Sequence, residues 1–243
     1  MESVREAAGH GLRAAGQSER QFDLSHGSVR ELNGYLHREA KAEERIVVTN
    51  PDGAHSIACG MNVAAEIEIL GHAGYYVAGM NKHARVIVDG NAGPGAAENM
   101  MSGFVRVKGF ASTSAGASAR GGCLVIEGDA ALRCGISLKG GDIVVGGSVG
   151  SFSAFMAQAG RMVICGDAGD ALGDSLYEAV IYVRGDVKSL GADARFEPMQ
   201  PSDLAAVKEL LELAGFDYDP REFKRVASAR QLYHWNADAQ QEY

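Results

Sequence analysis

Pairs of aliphatic residues recur along the middle of the chain at a constant interval. In each pair one residue separates the two aliphatic side chains, and the pair returns every 19 residues. The first positions are Ile67, Val86, Val105, Leu124, Ile143, Met162 and Ile181, and the second are Ile69, Val88, Val107, Ile126, Val145, Ile164 and Val183. A spacing of two places both side chains on one face of a β-strand. The pattern predicts seven strands, each with one buried face.

A glycine lies two residues after each pair. These seven glycines, which we call the column glycines, are Gly71, Gly90, Gly109, Gly128, Gly147, Gly166 and Gly185. A second series is Gly103, Gly122, Gly141 and Gly160. Glycine fits bends that need a positive φ or a close backbone contact. A unit of 19 residues with one strand cannot bury its apolar face alone, but stacked units can. We therefore predict an all-β core that is a parallel β-helix of seven 19-residue rungs.

Both ends of the repeat are irregular. Ile46 and Val48, followed by Asn50, predict an earlier rung that is two residues longer, with Asn in place of the column glycine because Asn tolerates a left-handed conformation. At the other end, Pro198 and Pro201 fall where the next strand should form. Proline cannot donate to a ladder of hydrogen bonds, so the repeat should stop there.

Flanking α-helices are expected to cover the open ends of the stack, which would otherwise promote aggregation. Ser28 and Glu31 form a capping box that predicts a helix over residues 28–42. A second helix is predicted over 202–214, with Ser202 as N-cap and Gly215 at its end. A third is predicted over 220–235. The expected organisation is an N-terminal helical extension (1–45), a parallel β-helix (46–197) and a C-terminal helical cap and tail (198–243).

Composition narrows the function. The net charge of −8 gives no support to nucleic-acid binding, which needs clustered Lys and Arg. The four cysteines show neither the CxxC spacing nor the His partners of a zinc site. No apolar run reaches the roughly 18 residues of a membrane span, and the first residues lack the charge order of a signal peptide. We therefore expect a cytoplasmic protein.

Candidate chemical groups are few. The glycine-rich segment 90–95 lies between two rungs and is interpreted as a turn rather than a phosphate loop. The acids Asp167, Asp170 and Asp174 are interpreted as solvated turn residues rather than a calcium repeat, because their pattern occurs once. His72 and His83 flank one rung and are weak candidates for proton transfer. We predict no catalytic, cofactor-binding or metal site in this chain.

Two further observations concern binding and chemistry. Methionines occur in the predicted rung loops and serve either as packing residues or as a binding surface: Met80, Met100, Met101 and Met156. Position 2 holds Glu2, whereas glutaminases with an N-terminal cysteine nucleophile need Cys directly after the initiator Met. The chain is therefore not expected to be such a glutaminase.

The clearest rungs read Gly-x-(aliphatic)-x-(aliphatic)-x-Gly, at residues 122–128, 141–147 and 160–166. They resemble the GXGXG domain that ends the large subunit of glutamate synthase, a right-handed parallel β-helix, over about residues 46–191. The segment 228–235, Ser-Ala-Arg-Gln-Leu-Tyr-His-Trp, is similar to the end of that domain. The same right-handed β-helix resembles the β-helical subunit of formylmethanofuran dehydrogenase and that of its formyltransferase/hydrolase relative.

The resemblance implies a role within a complex. Stand-alone forms of the domain resemble the GXGXG subunit of N-methylglutamate synthase, which holds an amidotransferase-like partner and a partner that carries FMN and iron–sulfur clusters. No catalytic residue or cofactor site is carried over to this chain, and Tyr233 and Trp235 are expected to contribute to a partner interface. Two alternatives stay open. One is a scaffold role in a formylmethanofuran-type complex, and the other is a free-standing solenoid with its own activity.

Overall fold

Strands form where the aliphatic pairs occur. In the computed structural model, which describes residues 19–230, parallel strands follow one another in chain order along a β-helix. They are β1 (Glu19–Asp23), β2 (Arg45–Thr49), β3 (Glu66–Leu70), β4 (Arg85–Val88), β5 (Phe104–Val107), β6 (Cys123–Ile126), β7 (Lys139–Val145), β8 (Ala159–Ile164) and β9 (Val180–Val183). The predicted parallel β-helix is confirmed.

The register of the strands matches the 19-residue repeat. Ile67 pairs with Val86, Val86 with Val105, and Val105 with Leu124, and all four side chains are fully buried. Small residues two places after the column glycines form bridges from rung to rung: Ala73, Ala92, Ala111, Ala130, Val149, Ala168 and Val187. Like residues therefore stack in columns through the core.

The N-terminal end is closed by a helix. Helix α1 (Val29–Arg38) begins at the predicted capping box, in which Ser28 Oγ accepts from the Glu31 N–H at 3.2 Å and Glu31 Oε2 accepts from the Ser28 N–H at 2.8 Å. The helix ends before the predicted residue 42. Its Asn33 side chain donates to the Ser56 carbonyl (2.8 Å) and accepts from the Ala58 N–H (3.0 Å), which satisfies backbone groups of the first rung.

The longer first rung is also confirmed, and an extra strand precedes it. Ile46 pairs with Ile67, and Asn50 has a φ of 50° where later rungs have a column glycine. Strand β1 pairs in parallel with β2, and its sequence, Glu-Arg-Gln-Phe-Asp, contains no aliphatic pair that would have predicted it. The sheet therefore begins one strand earlier than the repeat.

At the C-terminal end the predicted third helix is wrong. Within the described part of that segment, Pro220–Glu222 is a single 3-10 turn, and β11 (Lys224–Ser228) is a strand. It lies antiparallel between β9 and β10 (Ala194–Glu197). The physical reason is that Val226 aligns with Ile181 and is fully buried, so this strand extends the aliphatic column by one residue.

Helix α2 (Pro201–Ala214) is present, but two expectations about it are wrong. Its N-cap is Gln200 rather than Ser202, because the Asp203 carboxylate accepts from the Gln200 N–H at 2.8 Å. The predicted end at Gly215 is confirmed, with a φ of 75°. The helix covers the outer face of the sheet rather than the end of the stack. The buried contacts are made by Val207, Leu210 and Leu211 of the helix and Val125, Val144 and Val163 of the sheet.

Candidate functional site

The column glycines lie where consecutive rungs approach most closely. A Cβ atom at Gly128 would lie 2.9 Å from the Gly109 carbonyl oxygen, and one at Gly90 would lie 2.7 Å from Gly71 backbone atoms. Among the seven, Gly71 alone has a φ in the left-handed region, at 137°. Contact between backbones is therefore the main reason for this column. The second series does require positive φ, as at Gly103 (83°).

We number the other positions of a rung from its column glycine, so that +1 is the next residue. At +1, a polar side chain accepts a hydrogen bond from the N–H at +1 of the following rung. Asp129 Oδ1 accepts from Ser148 (2.7 Å), and Ser148 Oγ accepts from Asp167 (3.0 Å). His72 Nδ1 likewise accepts from Asn91 (2.9 Å). This ladder was not predicted from the sequence, although six of the seven +1 residues are polar: His72, Asn91, Asp129, Ser148, Asp167 and Asp186.

The acids singled out in the sequence hold the last rungs together. Asp167 Oδ1 accepts from the Asp186 N–H at 2.8 Å, and Asp170 forms an ion pair with Lys188 at 2.8 Å. Asp174 accepts from the Ala192 N–H at 3.2 Å. No three His, Cys, Asp or Glu residues between positions 19 and 230 are arranged to hold a metal ion.

Three cysteines lie in the apolar interior. Burial raises the pKa of the Cys134 thiol to about 12, well above its ordinary value of about 8.5. Burial also raises the pKa of Cys123, and that of Cys165 to about 12. Cys59, which is partly buried, has its pKa raised by the same cause. These thiols therefore stay protonated at neutral pH, and the thiolate that nucleophilic chemistry needs is disfavoured.

Buried thiols should make the fold sensitive to alkali. The folded pKa of Cys134 is raised, so its contribution to stability is complete below the unfolded pKa and is lost as the pH rises above it. Between pH 8 and pH 10 this thiol alone should cost about 2 kcal/mol of unfolding free energy. Urea unfolding of the wild type and of Cys134→Ala measures the difference. Alanine fits this +6 position, because Ala96 and Ala115 occupy it in other rungs. An equal pH slope in both proteins would contradict the argument.

Opposite the strands, each rung forms a second wall with an unusual backbone. Residues at +5, +7 and +9 have positive φ in every 19-residue rung of the stack from Gly71 to Ser175, for example Phe152 (57°), Ala154 (56°) and Met156 (52°). Their N–H groups bond alternately to the two neighbouring rungs. The Ala154 N–H donates to the Cys134 carbonyl (2.7 Å) and the Met156 N–H to the Asp174 carbonyl (2.8 Å). This wall is therefore hydrogen-bonded on both sides, like a parallel sheet.

Side chains of this wall alternate between the core and solvent. Those at +10 are buried: Asn81, Met100, Ala119, Leu138 and Ala157. Those at +9 and +11 point outwards, and together they form what we call the methionine wall: Met80, Lys82, Asn99, Met101, Ser118, Arg120, Ser137, Lys139, Met156 and Gln158. Met80, Met101 and Met156 are 48%, 45% and 38% exposed, whereas Met100 is buried. Of the two roles considered for the four methionines, Met100 therefore packs in the core and the other three form surface.

A shallow groove lies on the same side of the molecule as the methionine wall, at positions +4 and +5. It has a volume of about 470 Å³ and is lined by Thr113, Ser114, Leu132, Arg133, Ser151 and Phe152. Leu132 and Phe152 are 51% and 44% exposed. Leu132 at +4 and Phe152 at +5 of the next rung therefore add exposed apolar area to this side of the molecule.

The outer face of the sheet is different, because its charges pair with one another. Arg45 forms ion pairs with Glu19 and Glu68, and Arg106 pairs with Glu127 at 2.8 Å. Arg106 also donates to the Ala214 carbonyl at the end of α2 (2.9 Å). The charged side chains of this face are therefore mostly engaged within the protein, and much of the face lies under the helix.

Other predicted residues are not brought together into a site. His72 is engaged at +1, and His83 lies exposed at +12 of the same rung. Segment 90–95 passes through the Ala92 bridge into a turn that begins at Pro94, and no helix directly follows it. Tyr233 and Trp235 lie outside the described residues. Within the described part of the chain, no helix has the length and hydropathy of a membrane span.

Comparison with known proteins shows that the chain is similar to a curated protein over most of its length. No family model matches the chain. Protein GlxC of Rhizobium meliloti (strain 1021) is 53% identical over 220 residues. The match covers 89% of this chain and 96% of the relative.

Proposed function

Since the chain belongs to the family of Protein GlxC and its 19-residue rungs resemble the GXGXG domain, we propose that it is a non-catalytic structural subunit of a glutamate-synthase-like complex, N-methylglutamate synthase. In this proposal it bridges an amidotransferase-like subunit and a subunit that carries FMN and iron–sulfur clusters. The complex converts glutamate and methylamine to N-methylglutamate and ammonia. The cofactors belong to the partners, and the complex works in the cytoplasm.

One observation carries the scaffold role. The polar side chains that could perform chemistry are used to join rungs, as at Asp129, Ser148 and Asp167, each of which accepts a backbone N–H of the next rung. Side-chain hydrogen bonds at +1 join five of the six pairs of neighbouring rungs, the exception being the step from Phe110 to Asp129, and they make a stiff body with long regular walls. Such a body suits the positioning of other subunits, and the 19-residue rungs that resemble the GXGXG domain support the glutamate-synthase assignment.

Purification of the intact assembly tests this function. The chain is tagged in its native host at endogenous level, and the co-eluting proteins are identified by mass spectrometry. We expect two partners in fixed ratio, one with an N-terminal-cysteine amidotransferase domain and one with bound FMN, together with N-methylglutamate formation from glutamate and methylamine. Elution of the chain alone and monodisperse would refute the subunit role. Co-elution with subunits of a formylmethanofuran-type complex would support the scaffold role but assign it to a different reaction.

The tail provides a separate prediction. We expect Trp235→Ala to lower the amount of a co-purified partner about tenfold, because buried Trp side chains often dominate interfaces and a tenfold change corresponds to about 1.4 kcal/mol. Phe196→Ala is the matched control, since Phe196 is an aromatic residue of the described part of the chain that is 51% exposed. Unchanged partner recovery with Trp235→Ala would show that the tail is not an interface.

A further inference from the structure

The methionine wall has a charge opposite to that of the protein as a whole. The chain carries a net charge of −8, with 31 acidic residues. The ten positions of the methionine wall nevertheless contain three cations, Lys82, Arg120 and Lys139, and no acid. All three cations occupy the +11 column. Because rungs repeat about every 4.8 Å, the column from Lys82 to Lys139 extends for about 14 Å.

These three cations also lack carboxylate partners. Between residues 19 and 230, no Asp or Glu lies within ion-pair distance of them. Cations on the outer sheet face are paired instead, as Lys108 is with Asp89 (3.3 Å) and Arg161 with Asp142 (2.7 Å). The protein therefore neutralises its charges internally on one face and leaves cations available on the other.

Apolar contact area lies beside these charges. Met80 is two residues from Lys82, and Met101 lies one rung before Arg120 in the same column. Exposed methionines adapt their shape to a partner and add polarisable contact area. The backbone beneath them is already ordered, since Met80 N–H bonds to the Glu98 carbonyl (2.8 Å) and Lys82 N–H to the Met61 carbonyl (2.8 Å). Docking on such a wall costs little ordering of the chain.

We propose that the methionine wall docks a partner subunit through a face that presents carboxylates and apolar side chains. The inference rests on the proposed function, because it assumes that partner subunits exist. Complementary charges would set the orientation and speed of encounter, and the methionines would supply the buried contact. Nucleic acid does not fit, because three cations on a chain of net charge −8 cannot neutralise a phosphate backbone.

Zero-length cross-linking of the native complex provides the first test. A carbodiimide joins a lysine amine to a carboxylate only when the two are in contact. We expect peptides that link Lys82 or Lys139 to an Asp or Glu of one co-purified subunit, and none that link Lys208 or Lys224 to that same subunit, because these two lysines lie on the helix over the outer sheet face and on β11. Links only from Lys208 or Lys224 would overturn the proposal.

Charge reversal provides the second test. The triple variant Lys82→Glu, Arg120→Glu, Lys139→Glu should lose one partner subunit at least tenfold from the purified complex. A control, Lys108→Glu, Lys208→Glu, Lys224→Glu, makes the same change of charge elsewhere and should retain it. The neutral triple variant to Gln should lie between them, and thermal melting followed by circular dichroism shows that each variant is folded.

The outcomes separate the two proposals. If the wild type co-purifies with no partner, the proposed function fails. If the wild type and both reversed variants retain every partner, the function stands and the docking surface is wrong. Wild-type binding to phosphatidylserine vesicles that the wall variant loses, with subunit recovery unchanged, would also overturn it in favour of a lipid surface.

Discussion

Gly166→Ala should lower the free energy of unfolding by about 3 kcal/mol, at the upper end of what overpacking costs. An added Cβ would lie 2.6 Å from the Gly147 carbonyl carbon and 2.6 Å from Ser148 Oγ. Neither neighbour can give way, because the first is backbone and the second accepts the Asp167 N–H. Equilibrium unfolding in urea, read by circular dichroism, measures the loss.

A Gly→Ala substitution elsewhere in the chain serves as a control, because it should raise the free energy of unfolding instead of lowering it. Gly34 lies inside α1, and a Cβ there would meet only the mobile end of the Arg38 side chain. Alanine is a better helix former than glycine, so Gly34→Ala should raise the free energy of unfolding by about 0.8–1 kcal/mol. A loss of stability in Gly34→Ala, or none in Gly166→Ala, would show that rung-to-rung backbone contact does not determine the glycine column.

Val144→Asp should be the most destabilising change on the outer face of the sheet. Val144 is fully buried beneath α2 with Val207 and Leu211. An unpaired carboxylate in this layer should cost about 4 kcal/mol, within the range found for uncompensated buried charges. We expect α2 to separate from the sheet, which limited proteolysis after residue 197 would detect, together with a lower midpoint in urea.

Ile87→Asp is the matched control, because Ile87 occupies the same rung position in β4 but lies outside the area that α2 covers. Ile87→Asp should cost about 1 kcal/mol, the typical effect of a single substitution. Burial raises the pKa of the new carboxyl at position 144, so its protonated form is favoured in the folded state. The deficit of Val144→Asp should therefore shrink as the pH falls towards that raised pKa and grow as the pH rises. Equal deficits in both variants at all pH values would contradict burial by the helix.

The repeat was predictable because each rung buries the same types of side chain at the same positions. Aliphatic residues such as Ile126 and Val145 stack on like residues, so a period of 19 in sequence becomes a column in space. The capping box at Ser28 was predictable for a similar reason, since it depends only on residues three apart. These features are local or periodic, and a single sequence contains both kinds of signal.

Features that depend on distant partners were missed. Strand β11 is specified by its fit between β9 and β10 rather than by its own sequence, which was interpreted as helix. The location of α2 on the sheet depends on Val125, Val144 and Val163, which lie between the two residues of an aliphatic pair and do not by themselves indicate what covers them. The left-handed residues at +5, +7 and +9 gave no signal, because residues as different as Phe152, Ala154 and Met156 adopt that conformation.

The candidate docking surface was predicted in part. The methionines were identified from the sequence, but which of them reach solvent depends on the alternation around the buried +10 column. Met100 at +10 and Met101 at +11 are sequence neighbours with opposite environments. The unpaired state of Lys82 and Arg120 was not predictable, because it requires knowledge of where every carboxylate lies.

The constant rung length has a consequence for how the protein could change in size. Column glycines recur every 19 residues, and each rung contacts mainly the two beside it. Removing or duplicating one such unit would move the two ends of the molecule by one strand spacing, about 4.8 Å, while the contacts between the remaining rungs kept their form. The distance between the two ends of the stack can therefore change only in steps of one rung.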